Sequence, residues 1–159
     1  MNIISLLLSA LVVFSISKPN LTQAEIEETV ASHNEWRAKV GVAPLVWDEE
    51  LAKTALKWAK KLKEKGCAFE HSHTKGLGEN LFMGTTGFYD PKEVVDAWGN
   101  EIKDYNYDDN SCSGLCGHYT QVVWATTKKV GCAKIECDGM DIWVCNYNPP
   151  GNWVGQKPY

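Results

Sequence analysis

Two stretches of the sequence bring together histidine and glutamate, side chains that hold divalent metal ions and move protons in many proteins. One stretch reads EHSHTKGLGEN and the other reads GNEIKDYNYDDNSCSGLCGHYTQVVW. The side chains of interest are His71, His73, Glu79, Glu101 and His118. Neutral imidazoles and carboxylates suit a divalent ion such as zinc, but a histidine and a glutamate can also form a hydrogen-bonded pair that only fixes loops. The residue types alone leave both interpretations open.

A predicted helix positions Glu101. In the sequence DPKE, Asp90 is suited to cap this helix and Pro91 to occupy its first position. The apolar residues that then share one face are Val94, Trp98, Ile102 and Tyr105. Glu101 follows Trp98 by three residues and is therefore expected on the buried side. Because a buried carboxylate is costly without a partner, we expect Glu101 to contact a donor, a histidine or a metal ion.

Two earlier helices are predicted from their caps. Thr22 and Glu25 form a capping box that starts a helix over about residues 23–39. Asp48 caps a second helix, which Gly66 ends. The apolar face of the second helix consists of Leu51, Ala55, Trp58, Ala59 and Leu62. This face is expected to pack in the core, and the lysine-rich stretch KWAKKLKEK is interpreted as a solvated helix face.

Polar and aromatic residues inside these helices are interpreted as structural. His33, Asn34 and Arg37 lie in the first helix, and we predict buried hydrogen bonds for them rather than a second site. Four tryptophans occupy apolar periodic positions and are predicted to lie in the core: Trp36, Trp47, Trp58 and Trp98.

A β-hairpin is predicted where the period changes, between VGCAKIEC and MDIWVCNY. If Asp138 and Gly139 are its two loop residues, Cys132 lies opposite Cys145 at a non-hydrogen-bonded pair. Side chains at such a pair approach closely enough for a disulfide. Cys137 then faces the other side of the hairpin.

The remaining cysteines complete a predicted disulfide set. Cys112 and Cys116 are close enough in sequence to clip their own loop, which leaves Cys67 for Cys137. The predicted pairs are 67–137, 112–116 and 132–145. A zinc ribbon is the alternative, but it needs two closely spaced cysteine pairs, and the second pair here is followed by Cys145 in strand-like sequence.

Length and composition limit the cellular setting. The first residues, MNIISLLLSALVVFSIS, are predicted to be a signal peptide over residues 1–17, followed by one domain over 18–159. An uncleaved membrane anchor is the alternative, because no Lys or Arg precedes the apolar run. All six cysteines follow this segment, which favours disulfides and a secreted, extracellular protein. The formal charge of -4 argues against nucleic acid as a partner, and a monomer is expected.

Four motifs resemble one known family. GHYTQVVWATT from Gly117 and IWVCNYNPPGNW from Ile142 look like the two signature motifs of the CAP superfamily, which comprises cysteine-rich secretory, antigen 5 and pathogenesis-related proteins. HNEWR from His33 and GENL from Gly78 match its two shorter motifs, in the family's order. The resemblance is strongest to the plant-type pathogenesis-related family 1, because no cysteine-rich extension follows GNWVGQKPY.

The resemblance implies a fold and a cleft. The fold class is α+β, an α-β-α sandwich with a central antiparallel sheet and the same three disulfides. In the family two histidines and two glutamates converge in an open cleft, and these fall here on His71, Glu79, Glu101 and His118. His73 does not occupy a motif position, although an extended HSH segment would point both of its rings to one side. Zinc or another divalent cation is the expected cofactor, bound weakly.

The resemblance also implies a function. Sterol or another lipid is the expected partner, bound by a loop from Tyr105 to Leu115 that contains Tyr105 and Tyr107. Withholding sterol from a microbial membrane would give a defence function without catalysis, and microbial or host membrane lipids are possible partners. The alternative for these tyrosines is that they only pack the loop.

The sequence allows two alternative functions, a hydrolase and the precursor of a released peptide. A hydrolase could use a metal-activated water with Glu79 or Glu101 as general base, or Ser72 beside His71. The sequence contains neither GxSxG nor HExxH, so a protein that is not an enzyme is expected. The tail PPGNWVGQKPY, residues 149–159, resembles a segment that plant-type members release as a defence peptide. Its prolines and glycines predict an irregular, protease-accessible segment.

Overall fold

The computed structural model describes residues 20–159, so the signal peptide predicted over residues 1–17 lies outside the described residues. Helices and strands follow one another in the order α1 (Gln23–Lys39), β1 (Val46–Trp47), α2 (Glu49–Glu64), β2 (Gly78–Thr85), α3 (Pro91–Gly99), a 3-10 helix (Asn100–Asp104), β3 (Tyr105–Asn106), β4 (Ser111–Cys112), α4 (Gly117–Val122), β5 (Lys129–Cys137) and β6 (Met140–Asn148). No helix between residues 20 and 159 is both long enough and apolar enough to cross a membrane.

Three long strands and one short strand form the central sheet, in the order β1-β5-β6-β2. Strand β6 pairs antiparallel with both β5 and β2, whereas the two residues of β1 pair parallel to β5. Helix α2 packs on one face of this sheet, where Ala55, Ala59 and Leu62 are buried. Helices α1, α3 and α4 contribute to the core on the opposite face, around Trp98 and Tyr147. The predicted α-β-α sandwich is therefore confirmed, with one short parallel edge.

The hairpin turn fixes the register of the sheet. Asp138 and Gly139 have φ values of 51° and 77°, so both turn residues are left-handed, as a two-residue hairpin loop requires. Cys132 consequently lies opposite Cys145, with their Cα atoms 4.1 Å apart. Cys137 faces α2 and bonds to Cys67 at the end of that helix. All three predicted disulfides are present, including 112–116.

The helices begin where their caps predict. Thr22 and Glu25 form the capping box of α1, and Asp48 accepts hydrogen bonds from the first amides of α2. Helix α3 begins at Pro91 but becomes a 3-10 helix after Gly99, so the prediction that Ile102 shares the buried face is wrong. Ile102 is 41 % exposed, because the tighter winding of a 3-10 helix rotates the following residues off that face.

The tryptophans divide into two groups. Trp36 and Trp98 are buried in the core, as predicted. Trp47 and Trp58 are only half-buried and pack against the edges of the two core clusters, so the prediction holds for them only in part. Each half-buried indole has an N–H that reaches a partner near the surface, Glu49 for Trp47 and the carbonyl of Glu70 for Trp58. An indole with one polar and one apolar side is stable at such an edge.

The polar residues inside α1 are used structurally, as predicted. His33 is fully buried, with Nδ1 2.7 Å from the carbonyl oxygen of Thr29 and Nε2 2.9 Å from the hydroxyl of Tyr147. Burial lowers the pKa of His33 to about 4, so this imidazole is neutral at pH 7. The side chain of Asn34 donates one hydrogen bond to the main chain of Leu45 and accepts another from it.

Arg37 joins α1 to the segment that follows α4. Its side chain is fully buried, and burial lowers its pKa to about 10. No carboxylate within residues 20–159 forms an ion pair with it. The guanidinium instead donates to four main-chain carbonyl oxygens at 2.7–3.0 Å, those of Ala43, Val122, Trp124 and Thr127. A single side chain therefore satisfies carbonyl groups that no regular element pairs.

We expect Arg37→Met to destabilise the protein strongly. The substitution removes the guanidinium from all four carbonyl oxygens; that of Trp124 still accepts the amide hydrogen of Thr127, but the other three lose their donor. Each unsatisfied group costs about 1–3 kcal/mol, so a total loss of at least about 3 kcal/mol is expected. The measurement is urea unfolding of the oxidised protein. Lys128→Met is the control, because Lys128 is exposed and its ammonium group has no hydrogen bond to residues 20–159. Equal unfolding midpoints for the two variants would contradict the role assigned to Arg37.

Candidate functional site

The four side chains that the family resemblance assigns to one cleft form two His–Glu pairs. Nδ1 of His71 lies 2.8 Å from a carboxylate oxygen of Glu79. Nδ1 of His118 lies 2.6 Å from a carboxylate oxygen of Glu101. In both pairs the glutamate contacts the same ring nitrogen. Hydrogen-bonded pairing, one of the two interpretations of the sequence, is therefore what the structure contains.

Glu79 fixes the loop that carries His71. It is the second residue of β2, its side chain is only 8 % exposed, and it accepts a hydrogen bond from the amide of Ser72 at 2.8 Å. The amide group of Asn146 on β6 lies 3.4 Å from its other oxygen. Burial by itself raises the pKa of Glu79, but the hydrogen bonds from His71 and Ser72 outweigh it and hold the pKa below its usual value. Glu79 is therefore a carboxylate at pH 7.

Glu101 caps helix α4. The N-cap residue of that helix, Cys116, makes no side-chain cap hydrogen bond. One oxygen of Glu101 instead accepts the amide hydrogens of His118 and Tyr119 at 3.0 and 3.2 Å. Burial raises the pKa of Glu101, but His118 and these two amides together lower it below its usual value. A negative charge at a helix N-terminus is also favourable to the helix dipole.

The two pairs lie on adjoining elements. The amide of Asn80, next to Glu79 in β2, donates to the main-chain carbonyl of His118 at 3.1 Å and to the hydroxyl of Tyr147 at 3.2 Å. Because side chains alternate along a strand, Glu79 and Asn80 point to opposite faces of β2. The ring of His118 stacks on Trp98 with their centroids 6.2 Å apart.

The pairs do not merge into one compact cluster. In the part of the chain that the structure describes, the only three ligand atoms of His, Cys, Asp or Glu within 4.8 Å of one another belong to Cys67, Cys137 and Asp138. Both of those cysteines are in a disulfide and cannot serve as thiolate ligands. The expected four residues therefore offer two separate pairs of ligand groups.

The loop that carries His71 also contains Ser72 and His73. His73 has a φ of 53°, so the HSH segment is not extended, and its ring centroid lies 6.4 Å from that of His71. The hydroxyl of Ser72 lies 2.9 Å from that of Thr74 and accepts the amide hydrogen of Thr74. Within residues 20–159, Ser72 forms no hydrogen bond to His71 that would activate it as a nucleophile.

Three neighbours of the pairs were not predicted. All three are buried: Asn146 contacts Glu79, Asn80 donates to the carbonyl of His118, and Tyr147 contacts Asn80. The side-chain oxygen of Asn146 has no partner within residues 20–159. Polar side chains inside otherwise apolar strands were the available signal, because a buried amide needs partners.

The two tyrosines of the predicted lipid loop have different partners. Tyr105 donates its hydroxyl hydrogen to Asn110 at 2.7 Å and lines a cavity of about 330 Å³ between the loop and the tail. Tyr107 stacks on Tyr159, with ring centroids 4.7 Å apart, and its hydroxyl donates to the main-chain oxygen of Tyr159. The ammonium group of Lys157 lies 4.4 Å from the ring centroid of Tyr107.

The tail over residues 149–159 is irregular, as predicted, but it is anchored at both ends. Gly151 donates its amide hydrogen to Gln121, and the carbonyl of Pro158 accepts that of Ala125 at 2.7 Å. The hydroxyl of Tyr159 lies 3.0 Å from that of Tyr119 in α4. Residues 152–157 between these anchors are exposed.

We expect the charge of Glu79 to control the titration of His71. The hydrogen bond to Glu79 raises the pKa of His71 although burial lowers it, so Glu79→Gln should bring the pKa below that of the parent protein. Because the folded pKa is raised, His71 stabilises the fold below about pH 6.5, and that contribution is lost as the pH rises through the raised value. NMR titration of the imidazole signals measures the shift. Glu70→Gln is the control, because Glu70 pairs with Lys65; an equal fall in both variants would contradict the assignment.

Several known proteins are similar to this chain in sequence and in fold. Residues 30–147 match the family described as the cysteine-rich secretory protein family, CAP. The chain is 44% identical to pathogenesis-related protein 1 of Arabidopsis thaliana, with 97% of this chain and 94% of that protein covered. It is 43% identical to pathogenesis-related leaf protein 4 of Solanum lycopersicum, with 98% and 97% covered. The solved structure described as NaASP2 with Zn2+ superposes with a TM-score of 0.73 at 28% identity, covering 89% of this chain and 88% of that one.

The family match spans most of the chain and includes both His–Glu pairs. The sandwich, the three disulfides and the four motifs all agree with it. This chain therefore belongs to the cysteine-rich secretory protein family, CAP, and is similar over nearly its whole length to plant pathogenesis-related proteins 1.

Proposed function

We propose that this protein is a secreted defence protein that binds sterol, or a lipid of similar shape, at the loop from Tyr105 to Leu115. Its similarity to pathogenesis-related proteins supports the defence role. Three disulfides fit an oxidising, extracellular compartment. The observation that carries the lipid proposal is the cavity between this loop and the tail, together with the exposed apolar side chains that both segments contain.

Exposed apolar side chains gather at the loop and tail. Trp153 is 55 % exposed and lines the loop cavity. Leu115 is 72 % exposed and directly precedes Cys116, which also lines the cavity. The other exposed apolar side chains in these stretches are Tyr107 in the loop, Val154 in the tail and Ile102 in the 3-10 helix that precedes the loop. Exposed apolar side chains beside a cavity suit contact with an apolar ligand. Sterol is a rigid apolar ring system with one hydroxyl group, so aromatic rings and a few hydroxyls and amides suit it.

The tail limits access to the ring of Tyr107. Tyr107 is stacked on Tyr159, so a sterol that packs against the Tyr107 ring has to displace Tyr159. Tyr105 lines the cavity without contacting Tyr159 through a hydrogen bond. The cavity of about 330 Å³ is at the small end of the range of about 300–1,000 Å³ for ligand pockets. Movement of the tail would therefore accompany lipid binding.

We expect labelled sterol to bind saturably to the mature, oxidised protein, and binding to be lost when Tyr105 and Tyr107 are both changed to alanine. The reason is loss of the two rings that offer apolar contact at the loop. Equilibrium binding is the measurement, with thermal unfolding to verify that the double variant folds. Tyr89→Ala is the matched control, because Tyr89 is a partly exposed tyrosine that packs on Phe82 and Phe88. Absence of binding by the intact protein would refute the proposal.

A Tyr159→Ala variant separates the roles of loop and tail. If Tyr159 competes with sterol for the Tyr107 ring, this variant binds sterol more tightly than the parent. Weaker binding would mean that Tyr159 is part of the lipid site instead of its competitor.

A weak divalent metal site is the second function that we propose. The contact of Nδ1 with a glutamate leaves Nε2 of both histidines free of hydrogen bonds to residues 20–159. A histidine that bonds a carboxylate through one nitrogen and a metal through the other is a common arrangement at zinc sites. His71 and His118 would hold the ion and Glu79 and Glu101 would orient their rings. The similar solved structure of NaASP2 with Zn2+ supports zinc as the ion to test first.

A bound zinc ion would add a positive, Lewis-acidic centre between the loop at residues 70–76 and helix α4. Two imidazoles are fewer than the ligands of a structural zinc site, so water would supply the remaining positions and affinity would be low.

We expect His71→Asn combined with His118→Asn to abolish zinc binding measured by isothermal titration calorimetry. The control is His73→Asn, which removes an exposed histidine from the same loop without touching either pair. Glu79→Gln should weaken binding to a smaller extent, because it loses ring orientation and keeps the ligand. Zinc binding that survives the double substitution, or that His73→Asn removes, would refute this assignment.

The remaining functions have less support. Ser72 bonds Thr74 rather than His71, so the hydrolase alternative lacks an activated serine among the described residues. Release of residues 149–159 as a peptide requires cleavage and also separation of Pro158 and Tyr159 from their partners. Mass spectrometry of extracellular fluid would detect a chain ending at Asn148 if this release occurs, and a persistently full-length chain would count against it.

A further inference from the structure

The outer surface of α2 carries a row of lysines that neither proposed function uses. Lys53, Lys57 and Lys61 are spaced four residues apart and therefore lie along one side of the helix, about 6 Å from one to the next. Lys53 pairs with Glu50 at 2.7 Å. Within residues 20–159, Lys57 and Lys61 form no ion pair, and neither does the adjacent Lys60.

Two concave surfaces adjoin this row, and we call them together the α2 groove. One, of about 420 Å³, is lined by Lys53, Leu56, Lys57, Lys60, Lys61 and Glu64. The other, of about 280 Å³, is lined by Thr54, Lys57, Trp58, Lys61, Ser72 and Thr74. Lys57 and Lys61 belong to both surfaces. The groove therefore combines unpaired ammonium groups with three hydroxyl groups and one indole ring.

The charge balance of the groove is positive although the whole chain has a formal charge of -4. Glu64 is the one carboxylate among the residues that line the groove. The nearby Glu50 and Glu70 are paired with Lys53 and Lys65. An anion that enters the groove would therefore meet an excess of positive charge.

The walls of the groove are held in place. The indole N–H of Trp58 donates to the carbonyl of Glu70 at 3.0 Å, which fixes the orientation of the ring. The amide of Ser72 donates to Glu79, so the loop wall is attached to strand β2. The hydroxyls of Ser72 and Thr74 bond each other and keep further acceptor capacity.

We propose that the α2 groove binds an acidic polysaccharide, a chain of sugar rings that carry carboxylate groups. Lys57 and Lys61 pair with successive acid groups, Trp58 packs against a sugar ring, and the hydroxyls of Thr54, Ser72 and Thr74 bond sugar hydroxyls. The lysines, the indole and the hydroxyl groups of the groove thus each have a counterpart on one ligand.

A polysaccharide fits this surface better than an anionic membrane does. A helix that binds a membrane surface inserts large apolar side chains beside its basic residues. The large exposed apolar side chains among residues 20–159 all lie outside α2. A concave surface with hydroxyls is also poorly shaped for a flat bilayer but accommodates one polymer chain.

Binding of polygalacturonate to the mature, oxidised protein tests the proposal. We expect saturable binding at low ionic strength, weakened about 10-fold by Lys57→Gln combined with Lys61→Gln, because two partly exposed ion pairs are lost. The control combines Lys103→Gln and Lys128→Gln, which removes the same charge from two other exposed lysines and should change affinity less than twofold. Trp58→Leu should weaken binding without changing its salt dependence, with thermal unfolding as the check on its fold.

Competition and control experiments separate support for the proposal from its refutation. Equal loss in the two double variants would mean that net charge alone attracts the polymer. Displacement of polygalacturonate by neutral dextran would mean that the acid groups are not recognised, whereas displacement by dextran sulfate would support an acidic-polysaccharide site. Stronger binding to phosphatidylserine vesicles, lost in the Lys57 and Lys61 variant, would assign the groove to a membrane. Sterol and zinc binding are measured separately and do not depend on these results.

Discussion

The position of the candidate site depends on one buried cation. Arg37 donates to carbonyl groups before β1 and around the end of α4, so it fixes α1 against the segment that leads from α4 into β5. Helix α4, which carries His118 in its first turn, is only six residues long and therefore has little stability of its own. Its place in the fold comes from Arg37 at one end and Glu101 at the other. The enclosed guanidinium is costly to desolvate, and it is stable here because main-chain oxygens surround it.

Each of the two glutamates both fixes a main-chain segment and orients an imidazole ring. Glu101 caps α4 and holds the ring of His118, while Glu79 fastens the loop and holds the ring of His71. The sequence raised loop fixation and metal binding as alternatives, yet the same hydrogen bond is compatible with both, because it leaves the second nitrogen of each imidazole available. The presence of such pairs in a family therefore does not by itself identify either role. Binding measurements have to separate them.

Features set by local chemistry could be predicted from the sequence, and features set by distant contacts could not. The caps at Thr22 and Asp48 and the Asp138–Gly139 turn depend on neighbouring residues, and the turn then determined the cysteine pairing. The end of α3 and the exposure of Ile102 depend on tertiary packing that no periodicity encodes. The four site residues were assigned from family motifs, and spacing alone could not show that they form two pairs. Docking of the tail on Tyr107 joins segments about 50 residues apart and has no local signature.

The disulfide topology determines what a protease could remove. Cys67 and Cys137 are 70 residues apart in sequence, and the loop from Tyr105 to Leu115 and the loop of His71 both lie within the covalent ring that they close. A single nick in either loop would leave one covalently joined molecule. Residues 149–159 lie outside every such ring, so one cut after Asn148 leaves this segment attached only by non-covalent contacts. After such a cut, the lifetime of the tail on the protein would be set by the rate at which its non-covalent contacts break. After a nick in either loop, the fragments would stay together until the 67–137 disulfide is reduced.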